Sequence, residues 1–120
     1  MSTASPSGPG FTFLDVDRAL DQIGDIAALH EMLDMLQDSL ERDIPSISEL
    51  LAQGDVKSAN RLLHALKGFI PIFCIDLLCD HVARVELLSK TASAAEVAPL
   101  YAVLRADLER LQSDIDHHLG

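Results

Sequence analysis

Residues 25–54, DIAALHEMLDMLQDSLERDIPSISELLAQG, contain an apolar stripe that determines the fold class. Its members recur every three or four residues: Ile26, Leu29, Leu33, Leu36, Leu40, Ile44, Ile47 and Leu51. This spacing predicts one face of a long amphipathic helix, with Asp25 as its N-cap and Gly54 as its stop. Pro45 lies inside the stripe, and we expect it to bend or break the helix near residues 41–44, because proline lacks a backbone N–H.

The remainder of the chain shows helical patterns of the same kind. We expect a short first helix from about Asp15 to Ile23, a third from Asp55 to about Phe73, and a fourth from Asp76, as a possible cap, to near Lys90. Ser93 and Glu96 have the spacing of a capping box, which predicts the start of a fifth helix.

The inward stripes of the last two helices complete the predicted core. They comprise Leu77, Val82, Val85 and Leu88 in the fourth helix, and Val97, Leu100, Leu104, Leu108, Leu111 and Ile115 in the fifth. Because the connections are short, consecutive helices should be antiparallel neighbours. We therefore predict an all-α fold over residues 13–120: an up-and-down antiparallel four-helix bundle with a short extra N-terminal helix. Residues 1–12 begin with MSTASPSGPG, which predicts a disordered tail or linker.

Composition restricts the classes of partner. The chain has 120 residues and a formal net charge of −10, which argues against nucleic acid and against an anionic membrane surface. High charge of one sign also favours a monomer. We expect no signal peptide and no membrane-spanning segment, and Cys74 and Cys79 are expected to be free thiols. These features favour a cytoplasmic protein.

His64 lies at the centre of the polar face of the third predicted helix. On a helical wheel of about 100° per residue, the residues within about 60° of it are Lys57, Asn60, Arg61, Lys67, Gly68 and Pro71. The opposite face holds Ala59, Leu62, Leu66, Phe69, Ile70 and Phe73. His64 is therefore expected to be exposed and not to be a core histidine, although the wheel leaves open that it is an incidental surface residue.

Three neighbours favour a functional role for His64. Lys67 and Arg61 lie one turn away and can neutralise an anionic group attached to the imidazole. Gly68 costs a helix interior about 1 kcal/mol relative to alanine, and it leaves the imidazole uncovered. Residues 57–90 carry five cations and three carboxylates, so we expect the acidic load to lie away from His64.

Residues 62–86, LLHALKGFIPIFCIDLLCDHVARVE, resemble the histidine phosphotransfer (HPt) domain of multistep two-component phosphorelays. The segment His64-Ala65-Leu66-Lys67-Gly68 matches the family's H-x-L-K-G signature. Gly54-Asp55 before the helix and Val85-Glu86 after it add to the likeness, which extends over about residues 13–119. The chain departs from the family pattern at Phe69, Ile70, Pro71 and Cys74, and we expect Phe69 and Ile70 to point into the core.

The resemblance implies that His64 accepts a phosphoryl group on Nε2, that Lys67 stabilises its charge and that Gly68 gives a partner access. It implies response-regulator receiver domains and a hybrid sensor histidine kinase as partners. Mg²⁺ would come from the receiver, so the chain would need no cofactor of its own and would be a carrier that is not an enzyme by itself. We expect partner docking on Lys57, Asn60, Arg61, Pro71 and Ile72.

Two other functions remain open. One is a non-phosphorylated helical interaction module that binds and restrains a receiver domain or an enzyme. The other is a small metal-binding bundle, which the almost wholly aliphatic inward stripes disfavour. The remaining histidines are expected to be structural or solvated: His30 packed or half-exposed, His81 without metal-ligand spacing, and His117 and His118 solvated near the terminus. No metal site is predicted.

Overall fold

The computed structural model describes residues 11–120 and contains five helices. They are α1 (Val16–Ile23), α2 (Ile26–Ala52), α3 (Val56–Phe73), α4 (Asp76–Leu88) and α5 (Ala94–Leu119). Helix α2 packs against α3 and α5, α4 packs against the same two helices, and α1 lies against α2 and α3. The predicted four-helix bundle with a short extra N-terminal helix is confirmed. No helix in residues 11–120 combines the length and the hydropathy needed to cross a bilayer.

Most of the predicted helix ends are set by the caps that the sequence contains. The side chains of Asp15, Asp25 and Asp55 accept hydrogen bonds from backbone N–H groups in the first turns of α1, α2 and α3. Ser93 and Glu96 form the reciprocal capping box of α5. Gly24 closes α1 with a φ of 80°, a conformation that other residues rarely adopt.

The prediction that Asp76 caps α4 is wrong. The N-cap is Ile75, which makes no side-chain cap, and Asp76 is already inside the helix. Its Oδ1 instead accepts a hydrogen bond of 2.8 Å from Nη1 of Arg18 in α1. A cross-helix ion pair therefore replaces the expected local cap.

The expected break near Pro45 is absent, because α2 runs as one helix from Ile26 to Ala52. Pro45 itself is exposed, so the missing N–H lies on the solvent side. On the other side, Ile44 and Ile47 remain buried in the core. The buried hydroxyl of Tyr101 in α5 also donates to the Ile44 carbonyl at 2.8 Å. Tertiary packing thus holds the helix together across the proline.

Three residues of the predicted stripes are exposed instead of buried: Ile26, Leu77 and Leu100. In α4 the buried residue at this place is Leu78, which follows Leu77. In α5 it is Tyr101, which follows Leu100. After Ala94, the buried apolar positions of α5 are Val97, Tyr101, Leu104, Leu108, Leu111 and Ile115, which alternate spacings of four and three without interruption. Leu100 is one residue, or about 100°, away from that line.

Residues 11–15, which we term the N-terminal strap, are fastened to two parts of the bundle. Asp114 Oδ2 in α5 accepts hydrogen bonds from the backbone N–H groups of Thr12, Phe13 and Leu14 at 3.1, 2.8 and 3.2 Å. The α3–α4 corner is paired with the strap through Asp15 N to Phe73 O and Ile75 N to Phe13 O.

The packed region therefore begins before residue 13. Phe11, which the sequence placed in a disordered tail, packs against the core. Thr12, placed in the same tail, bonds to Asp114. The rest of that predicted tail, residues 1–10, lies outside the described residues.

Replacing Asp114 with alanine should lower the free energy of unfolding by at least about 2 kcal/mol, because buried N–H groups of the strap would lose their acceptor. Urea unfolding monitored by circular dichroism measures this loss, and hydrogen exchange should show lost protection at residues 12–14. Ser113→Ala, an exposed neighbour, is the matched control and should change stability little. Unchanged protection in Asp114→Ala would show that the strap does not depend on this carboxylate.

Candidate functional site

His64 lies in the middle of α3 with 69% of its side chain exposed. The helix is anchored on its other side by Leu63, Leu66 and Ile70, which are buried in the core. Solvent and a partner protein can therefore reach the imidazole without any rearrangement of the bundle.

Beneath the imidazole lies Glu86 of α4, whose side chain is fully buried. Its Oε2 is 3.4 Å from His64 Nδ1 and 3.6 Å from Lys90 Nζ, and its Oε1 is 3.5 Å from Lys67 Nζ. The expectation that acidic groups lie away from His64 is thus wrong at this position. A single carboxylate connects the histidine to two lysines.

Asn60, which we expected to dock a partner, is half-buried and bonds within the protein. Its Nδ2 donates to Glu86 O and Oε2, both at 3.2 Å, and to Ser89 Oγ at 2.8 Å. Ser89 Oγ in turn donates to Glu86 O at 2.6 Å. These bonds fasten α3 to α4 one turn before His64 and fix the carboxylate in place.

The charge state of Glu86 follows from its neighbours. Burial raises the pKa of Glu86. Hydrogen bonds from Asn60 and His64 and the charges of Lys90 and Lys67 lower it by more than burial raises it, so the pKa lies below its ordinary value. Glu86 is therefore ionised at neutral pH and can only accept hydrogen bonds. A proton on His64 Nδ1 would let the ring donate to this carboxylate, and the lone pair of the ring would then lie on Nε2.

The site has a local excess of positive charge. Lys67 and Lys90 both face the single carboxylate of Glu86. An ammonium has three donors, so Lys67 can keep its contact with Glu86 and still bond an anion attached to His64. Lys57 and Arg61 are exposed on the same helix, and no carboxylate of residues 11–120 lies within ion-pair distance of either. The arrangement can hold an anionic group on the imidazole.

Gly68 is not needed for packing. A Cβ at this position would meet no atom within 4 Å apart from its own helix backbone and its chain neighbours. The helix nevertheless bears the cost of a glycine in its interior, about 1 kcal/mol relative to alanine. Within residues 11–120, the only effect of this glycine on the structure is therefore the open space next to His64.

The residues after Gly68 divide between the core and the surface. Ile70 is buried as expected, but Phe69 is exposed, so the expectation that it points inward is wrong. The buried line of α3 runs through Leu63, Leu66, Ile70 and Phe73 at spacings of three and four, and Phe69 falls one residue outside it. Pro71 and Ile72 are half-buried.

The other histidines have local partners. His81 Nδ1 lies 2.8 Å from Asp107 Oδ2. His30 is exposed, contrary to the expectation that it is packed or half-exposed, and its ring contacts that of His118 with 5.2 Å between centroids. His118 is half-buried, contrary to the expectation that it is solvated, and burial lowers its pKa. Cys74 and Cys79 are free thiols, and burial raises the pKa of both. Within residues 11–120, no three metal-binding side chains form a cluster.

Sequence reasoning predicted His64, Lys67 and Gly68 as site residues, but it did not predict the contacts of Glu86, Lys90 and Ser89 beside them. Lys90 follows Glu86 by four residues, a spacing at which opposite charges pair on a helix. That local signal was present in the sequence, but the pairing of Glu86 with α3 depends on how the two helices are aligned.

A comparison against known families gives a match. The family model described as "Hpt domain" matches residues 31–114, well over half of the chain. The search of curated proteins and the search of solved structures each gave no match.

Replacing Glu86 with alanine should change the protonation of the His64 ring. With Glu86 present, we expect neutral His64 to carry its proton on Nδ1, because the partner of one ring nitrogen sets the tautomer. In Glu86→Ala the proton should shift substantially to Nε2. Long-range ¹H–¹⁵N NMR of the imidazole measures this, with the exposed Glu109→Ala as control. An identical tautomer in Glu86→Ala would contradict the orienting role.

Proposed function

Because the chain belongs to the Hpt domain family, we propose that His64 accepts a phosphoryl group from an aspartate of one receiver domain and passes it to an aspartate of another. A general role in histidine phosphotransfer follows from the family. The assignment to His64 is carried by one observation: an exposed imidazole whose Nδ1 faces a buried, ionised carboxylate.

The chemistry needs a nucleophile with a free lone pair. Nε2 of His64 attacks the phosphorus of the aspartyl phosphate, the bond from phosphorus to the aspartate oxygen breaks, and the aspartate leaves as a carboxylate. The imidazole, which keeps its proton on Nδ1, thereby becomes positively charged. Glu86, 3.4 Å from Nδ1, stabilises that charge as it develops. Transfer onward to the second receiver reverses the same steps.

The phosphoryl oxygens bring negative charge to the surface of α3. Lys67 can reach them from its place beside Glu86, and Lys90 can then neutralise the carboxylate in its stead. Arg61 and Lys57 extend the cationic surface toward a docked partner. Lys67 is thus the residue that exchanges one anionic partner for another.

The receiver supplies the remaining parts of the transfer machinery in this proposal. It brings Mg²⁺, which neutralises the charge of the transferred group, and it brings the aspartate that donates or accepts. The carrier contributes the positioned nucleophile and a docking surface around Gly68 with Arg61, Pro71 and Ile72. The ultimate phosphoryl source is a hybrid sensor histidine kinase, and the carrier works as a cytoplasmic monomer.

Incubation with a phosphorylated receiver should label the protein with an acid-labile, base-stable phosphoryl group. His64→Gln should abolish the label, whereas His30→Gln, another exposed histidine, should retain it. The measurement is transfer of radiolabelled phosphate, followed by acid and base treatment. Label that persists in His64→Gln would refute the assignment. Absence of label with several receivers would instead favour a non-phosphorylated module that restrains its partner.

Gly68→Gln should affect stability and transfer in opposite directions. The new side chain meets open space and removes a helix-interior glycine, so the free energy of unfolding should rise by up to about 1 kcal/mol. The same side chain should obstruct the docked receiver and slow transfer at least about tenfold, a loss of about 1.4 kcal/mol of transition-state stabilisation. Gly68→Ala serves as the smaller control. Equal transfer rates in all three proteins would contradict the access argument.

A further inference from the structure

A groove of about 660 Å³ lies between α4 and α5. It is lined by His81, Arg84, Val85 and Leu88 of α4 and by Leu100 and Val103 of α5, among others. The side chain of Glu86, by contrast, contacts Asn60 and His64 on α3. The groove is therefore a separate feature on the α5 side of α4.

The walls of this groove are mainly apolar, and part of that surface is exposed. Leu87, Leu100 and Val103 are 63%, 46% and 60% exposed, although each is a large hydrophobic residue. A concentration of exposed apolar side chains around one concavity is typical of a binding site. The volume also falls within the range of roughly 300–1,000 Å³ that is usual for small-molecule pockets.

The groove is bordered by one positive charge that has no ion-pair partner in the described residues. Arg84 is exposed, and none of the carboxylates in residues 11–120 lies within 4.0 Å of its guanidinium. Asp107, which would oppose an incoming anion at this end, is held by His81 Nδ1 at 2.8 Å. An unpaired cation thus borders an apolar groove in a chain whose net charge is −10.

The shape of the groove favours a small molecule over a helix of another protein. Its lining on α5 runs only from Leu100 to Val103, about one turn. A docked amphipathic helix binds through side chains at positions i, i+3, i+4 and i+7, which span about two turns. It therefore needs a continuous surface of that length on both walls of the groove.

We propose that the α4–α5 groove binds a small amphipathic anion, of which a medium-chain fatty acid is the simplest example. Its carboxylate contacts Arg84, and its apolar chain packs against Leu87, Leu100 and Val103. This site goes beyond the proposed phosphotransfer function and does not depend on it.

Titration of the full chain with octanoate, followed by calorimetry and by ¹H–¹⁵N NMR, tests the proposal. The expected result is saturable one-to-one binding, with shifts of amide signals in residues 81–91 and 100–103. Arg84→Ala should weaken octanoate binding about fivefold, as expected for a partly exposed ion pair. The same variant should leave the affinity for the uncharged 1-octanol unchanged.

A second pair of variants locates the site. Val103→Glu should abolish octanoate binding, because it places a carboxylate among the apolar walls. Met35→Glu, at an exposed apolar residue of α2 outside the groove, is the matched control and should bind normally. Circular dichroism confirms that both variants are folded.

Several outcomes would overturn the proposal. These are uptake of octanoate that never saturates, an equal loss of binding in Met35→Glu, and an Arg84→Ala variant that weakens both ligands or neither. A dimer that sedimentation detects and Val103→Glu dissociates would also overturn it, since the groove would then be covered by a second copy of the chain. All of these readouts are independent of phosphoryl transfer.

Discussion

The carboxylate of Glu86 is the group on which the site depends. Burying a charge is costly unless hydrogen bonds and opposite charges offset the loss of water. Here the offset comes from Asn60, His64 and Lys67 of α3 and from Lys90, just beyond the end of α4. The same contacts that make the buried charge tolerable also join α3 to α4 and place Nδ1 of the exposed imidazole over the carboxylate. The bonds that join the two helices are therefore the same bonds that surround the imidazole of His64.

Local physics accounts for the parts of the fold that the sequence predicted well. The caps Asp15, Asp25, Asp55 and Ser93 each bond to the backbone of the first turn of their own helix. Their positions in the sequence were therefore enough to predict where these helices start. The failures have another origin. Asp76 accepts a hydrogen bond from Arg18 of α1 and does not cap α4. Helix α2 continues through Pro45 because Tyr101 of α5 and the core pack against it. Such interactions depend on neighbours that are distant along the chain, and helical periodicity carries no information about them.

The site divides in the same manner. A helical wheel on α3 was enough to place His64 and Lys67 together, because both belong to one helix. It could not show that Glu86 of α4 lies beneath them, since that requires the relative register of two helices. The prediction for Phe69 failed for a smaller reason. An error of one residue in the predicted position of the buried line is enough to exchange a core position for a surface position. The sequence could thus place His64 and Lys67 on one helix face, but it could not show their contacts with Glu86.

The N-terminal strap has a mechanical consequence. Its three backbone bonds converge on a single oxygen of Asp114, and two more join it to the α3–α4 corner. Tension applied to the chain ahead of residue 11 would therefore load α5 and the end of α3 together. The point of loading at Phe73 is nine residues from His64, roughly 14 Å along the helix axis. A pull at this end would thus be shared by α5 and α3, and on α3 it would act about two and a half turns away from His64.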